Sequence, residues 1–172
     1  MKSGLFKYKL DEAQLASLRR QFDLLLPQVD LSQPMQFERI IEHYKGASGI
    51  YFWVLRSNDA DELFSIYIGK TRSLANRAQN YLSGFQPHSP NDFKLRIFQA
   101  FVSEAAPGAA LDLLFSRRNV EQLTASENDA IRLFNPILNK LQPATPDTKL
   151  NLQNVFAEYY RSAFERSLQD GD

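Results

Sequence analysis

The 172-residue chain predicts an α+β fold: a small three-stranded antiparallel sheet flanked by helices, with helical extensions at both termini. Three observations carry that expectation. Two runs rich in β-branched and aromatic residues, "GIYFWVLRS" from Gly49 and "FSIYIG" from Phe64, flank the polar stretch "NDADEL", which is the pattern of an antiparallel hairpin. A third run, "ALDLLFS" from Ala110, reads as one more strand. Around these runs, apolar residues recur at helical spacing.

Taken in order, Leu10 to Leu26 reads as a helix. Leu15, Leu18, Phe22 and Leu25 or Leu26 line one side, Asp11 and Glu12 sit in the first turn, and Pro27 stops it. A second helix is expected from about Pro34 to Tyr44, capped by Ser32 and broken at Gly46. In the hairpin, Ile50, Phe52 and Val54 alternate with Tyr51, Trp53 and Leu55, and Phe64, Ile66 and Ile68 alternate with Leu63, Ser65 and Tyr67. If the aliphatic-or-Phe rows share the core face, Tyr51 and Tyr67 share the opposite one. A short helix spans Ser73 to Leu82, with Gly84 beyond its end. The loop "QPHSPND" leads into a helix from about Asn91, and a further helix runs from Thr124 to Phe134 until Asn135-Pro136 ends it. After "PATPD", Leu152, Val155, Phe156, Tyr159 and Phe164 form a final amphipathic helix. The chain thus divides into an N-terminal helical extension (1–46), a core (47–140), and a linker with a C-terminal helix (141–172).

Composition narrows the chemistry. There is no cysteine, which excludes disulfides, zinc–thiolate sites and Cys nucleophiles, and His43 and His88 are too few for a multi-histidine metal cage. No apolar run approaches the ~20 residues that span a bilayer, and the first residues are too broken by charge for a signal peptide. The chain therefore reads as soluble and cytoplasmic, with no membrane partner. Net charge is zero, but basic residues are in local surplus from Leu63 to Val120: Lys70, Arg72, Arg77, Lys94, Arg96, Arg117 and Arg118 against Asp92, Glu104 and Asp112. That surplus suits a phosphate-binding face, and it equally suits solvated helix surfaces.

The order of these parts resembles the GIY-YIG nuclease family over roughly Gly49 to Asn139. Gly49-Ile50-Tyr51 and Tyr67-Ile68-Gly69 match the two name-giving motifs on the first two strands. The stretch "YIGKTRSLANRAQNYL" is similar to the amino-terminal nuclease domain of the bacterial excision-repair incision enzyme, and "ENDAIRLFNPILN" is similar to the family's glutamate-bearing helix. Each tripeptide alone is weak; their joint occurrence with Lys70, Arg77, Tyr81, Glu127 and Asn139 in order is specific. The segment between the tripeptides is longer than is usual in the family, an excess that a hairpin turn absorbs cheaply. It also places Asp59, Asp61 and Glu62 at the tip.

The resemblance implies a GIY-YIG-like fold and a metal-dependent DNA endonuclease, with RNA not excluded as substrate. It implies Tyr51 as general base assisted by Tyr67, Arg77 as phosphate clamp, and Glu127 as the single ligand of Mg²⁺ or, in its place, Mn²⁺. Lys70 supplies a further cation, Tyr81 a contact to phosphate or water, and Asn139 a brace for the glutamate helix or a ligand contact. A phenol with a pKa near ~10 is a poor base at neutral pH, so the scheme requires these cations to converge on it. Plainer readings stand beside it. The tyrosines suit strand aromatics, Arg77 and Lys70 suit surface residues, and Thr124-x-x-Glu127 is a capping-box pattern in which the glutamate serves the helix start. His88 reads as a loop histidine or an alternative base. The competing function is a catalytically inactive nucleic-acid-binding or protein-interaction module on the same fold, and the terminal helices suit either packing on the core or a homodimer interface.

Overall fold

The computed structural model describes residues 6–29, 42–57, 62–82, 95 and 108–140. Among these residues it is an α+β arrangement with four antiparallel strands and the three helices that follow. The helices are α1 (Glu12–Gln21), α2 (Leu74–Leu82) and α3 (Leu123–Phe134). The strands are β1 (Asp23–Val29), β2 (Gly49–Arg56), β3 (Leu63–Thr71) and β4 (Ala110–Arg117), in the order β1-β4-β2-β3.

The fourth strand corrects the expectation of three. The segment read as one helix to Leu26 is a helix only to Gln21. Asp11 caps it through a capping box with Gln14, and Phe22 then leaves it in extended conformation. Residues Asp23 to Val29 turn back as β1 and pair with β4. Three consecutive leucines suit either conformation, so pairing with β4 decides. Pro27, read as a helix stop, lies inside a strand, which is tolerated because β1 is an edge and needs no amide there. The strand is bulged, and Gln28 takes φ 55°. The N-terminal segment therefore supplies a strand to the same sheet, and Leu18, Phe22 and Val29 to its core.

Both faces of the sheet are covered. Tyr51, Trp53 and Leu55 of β2 pack with Leu74 and Ala78 of α2, Leu95, and Leu138. Ile50, Phe52 and Val54 pack on the other side with Leu18 of α1, Phe22, and Ala130 and Phe134 of α3. The alternation expected along β2 holds, but neither row faces solvent.

Along β3 it does not hold throughout. Trp53 pairs with Tyr67 while Val54 pairs with Ser65, so Ile66 is an extra residue. Across this bulge Phe64 and Tyr67 join one cluster, while Leu63 and Ile68 pack on the other. Tyr67 therefore shares a face with Tyr51, as expected, through a break in the strict period of two rather than by it. The second helix lies largely outside the described residues, with Glu42 and His43 helical and Gly46 at φ 73° closing the turn. The helix expected from Asn91, apart from Leu95, and the C-terminal helix lie outside the described residues. Among the described residues, no helix is long and apolar enough to cross a membrane.

Candidate active site

The two glycines of the hairpin motifs are required by close packing. Gly69 lies directly opposite Tyr51, and a Cβ there would come within 2.3 Å of the Tyr51 hydroxyl. A Cβ on Gly49 would come within 2.2 Å of the Ser116 carbonyl and 2.6 Å of the Phe115 ring. The absence of a side chain at 69 thus lets the Tyr51 ring lie flat across β3, which fixes where its hydroxyl ends.

That hydroxyl is the centre of a small polar network. Arg77, one turn into α2, donates from Nε to Tyr51 Oη at 3.1 Å, and its guanidinium carbon stands 5.5 Å from the Tyr51 ring centroid. The Tyr67 ring is 6.1 Å away, centroid to centroid, tilted by 54°. The Tyr67 hydroxyl is hydrogen-bonded to Tyr51. Burial, then the neighbouring Tyr51, push the Tyr67 phenol well above its ordinary value of 10.0. Glu127 adds to that rise by its negative charge, and Arg77 partly opposes it. Both tyrosine rings are buried, with 2% and 5% exposure.

Glu127 lies on α3, which crosses over β3. Its carboxylate is 2.8 Å from Lys70 Nζ, and Lys70 also donates to Thr124 Oγ1 at 3.1 Å. The capping-box reading of Thr124 and Glu127 is therefore not realised. A 3-10 turn at Val120–Gln122 precedes α3, Gln122 is its cap residue without a side-chain hydrogen bond, and Thr124 lies inside the helix. Thr124 as a partner of Lys70 is a residue the sequence assigned elsewhere. No local signal marks it, because the contact joins positions far apart in the chain.

Asn139 has both side-chain groups committed to one residue. Its Oδ1 accepts from the Ile68 amide and its Nδ2 donates to the Ile68 carbonyl, each at 2.8 Å. It braces the outer edge of β3 beside Tyr67. Tyr81 lies in the last turn of α2, with its side chain outside the described residues. His88, Asp59 and Asp61 also lie outside them, while Glu62 pairs with Lys9. The structure thus shows two groups, Tyr51–Tyr67–Arg77 and Lys70–Thr124–Glu127, and the charge of Glu127 is felt at Tyr67. Among the described residues, no three His, Asp or Glu side chains gather as a metal cluster. Compared with protein-family models, curated proteins and solved structures, the chain gives no match.

Proposed function

We propose that the chain is a metal-dependent DNA endonuclease of the GIY-YIG kind, hydrolysing phosphodiester bonds beside the β2–β3 hairpin. The observation that carries this reading is the hydrogen bond from Arg77 to Tyr51 Oη, made beside a second buried phenol, Tyr67. Hydrolysis needs a group to take a proton from water and cations to hold charge on the phosphate. Tyr51 is the proposed base, with Arg77 donating to its hydroxyl. Arg77 is the proposed clamp, its planar fork of donors being suited to non-bridging oxygens. Lys70 orients Glu127 by their ion pair. Tyr81 keeps its proposed phosphate contact on its helix position alone.

A single carboxylate suits Mg²⁺, which keeps several of its waters and takes one or two carboxylates, or Mn²⁺ in its place. Glu127 would hold the cation, which would supply Lewis-acid stabilisation of phosphoryl charge, and Lys70 holds that carboxylate in place.

A second reading is favoured by a specific observation. Both tyrosines are buried and Glu127 is neutralised by Lys70, as suits a binding or interaction module in which the network holds the hairpin together. One experiment separates them. Duplex, single-stranded, flapped and branched DNA, with matching RNA, is incubated with Mg²⁺ or Mn²⁺ and either wild type or Glu127→Gln. Metal-dependent cutting that falls by about 10²-fold or more in a folded Glu127→Gln supports the nuclease. DNA binding without cutting by the wild type supports the module.

A further inference from the structure

Behind the start of β2 lies a cleft of about 570 Å³ that the catalytic reading does not use. Gly46, Ala47 and Ser48 form one wall, and Arg117, Arg118, Asn119 and Gln122 the other. The walls are tied together: the Arg118 amide donates to the Ser48 carbonyl at 3.0 Å, and Ser48 Oγ donates to the Arg118 carbonyl at 2.6 Å. A Cβ added at Gly46 would meet nothing within 4 Å, so that wall is open.

Its two arginines are positioned by uncharged groups. Arg117 lies over the Tyr44 ring at 5.0 Å and donates to the His43 carbonyl at 3.3 Å, while Arg118 donates to the Arg117 carbonyl at 2.7 Å. Among the described residues, neither guanidinium pairs with a carboxylate. Each of these bonds uses one donor of a five-donor fork, which leaves N–H groups for an anion. Arg117 is held by stacking on Tyr44 and is exposed, a geometry suited to meeting a ligand rather than filling the core.

We propose that this cleft is a second phosphate subsite, in which Arg117 and Arg118 hold a backbone phosphate of the nucleic acid away from the bond that is cut. The identity of the anion rests on the nuclease reading. Ser48 and Tyr51 are three residues apart, about 10 Å along an extended chain at ~3.3 Å per residue, a span that one nucleic-acid strand can bridge. Ala47, in the wall, also accepts from the Leu74 amide at the start of the helix bearing Arg77, which ties the cleft to the candidate active site.

The test is DNA binding by fluorescence anisotropy across a salt series, without divalent cation so that nothing is cut. The proteins are wild type, Arg117→Gln/Arg118→Gln, Arg118→Gln alone, and Arg19→Gln/Arg20→Gln as an equal charge change on α1. Arg118→Gln alone guards against a fold defect, since Arg117 packs on Tyr44. The slope of log K against log salt is expected to flatten by about 1 in the single variant and by about 1–2 in the double, with the α1 control at the wild-type slope. An unchanged slope in folded cleft variants, equal flattening in the control, or no DNA binding by the wild type overturns the proposal. Cutting is assayed separately. Cutting with an unaltered salt slope sinks the subsite and leaves the nuclease; altered slopes without cutting in any protein support the subsite and sink the nuclease.

Discussion

Gly69 carries no side chain because the Tyr51 ring fills that space. Gly69→Ala forces that ring aside, and overpacking of this kind costs about 1–3 kcal/mol, to be read as a shift in the urea midpoint. The same substitution lengthens the Arg77–Tyr51 contact, so any DNA cutting falls further than stability does. Tyr67 gives a pH prediction. Its folded pKa is raised, chiefly by burial, so it contributes stability in full below the unfolded value of ~10 and loses it as pH rises above that value. Tyr67→Phe removes the term, and the stability gap between wild type and variant is expected to narrow above pH ~10 in urea melts across an alkaline series. At this scale the sequence was informative about identity more than cause. The two tripeptides stand out in the chain, yet nothing local reveals that their glycines answer to Tyr51 and Phe115.

The edge of β3 is managed by elements that come from both ends of the core. Leu10 donates to the Leu63 carbonyl, Ile137 to the Ser65 carbonyl, and Asn139 takes both groups of Ile68. Those backbone groups are therefore not open to pairing with another chain. Asn139→Ala leaves the Ile68 amide and carbonyl without their partner, which costs about 1–3 kcal/mol. Hydrogen exchange of the Ile68 amide should accelerate, while amides in the centre of β2 follow global stability only. Helix α3 was legible to within a residue, because Asn135 at φ 50° and Pro136 punctuate its end. Strand β1 was not legible. Leu24, Leu25 and Leu26 satisfy a helical stripe as well as a strand, and only pairing with β4 distinguishes them. The bulge at Ile66 was hidden for the same reason: it is a property of two strands in register, and each strand alone alternates acceptably.

Among the described residues, the sheet is buried on both faces by two apolar clusters, with Tyr51 and Tyr67 in one of them. Phe22, Phe52 and Phe134 meet at centroid separations of 5.1 to 5.9 Å under one face, so Phe52→Ala should cost about 3–5 kcal/mol in urea unfolding. Three strands are joined at the end away from Tyr51 by Asp112 of β4, which accepts from Arg56 of β2 and from the Gln28 amide of β1. Binary pattern made the central strands legible, and the layers followed only once α1 and α3 were seen to share a face. The proposed nuclease rests on one oxygen, the Tyr51 hydroxyl as its base. The measurement that tests it most directly is the metal-dependent cleavage rate of Tyr51→Phe beside wild type on whichever DNA the wild type cuts, with DNA affinity measured in parallel. Loss of the base predicts a fall of about 10²–10⁴ in kcat at wild-type affinity. Cutting at the wild-type rate by a phenylalanine at that position would contradict the account.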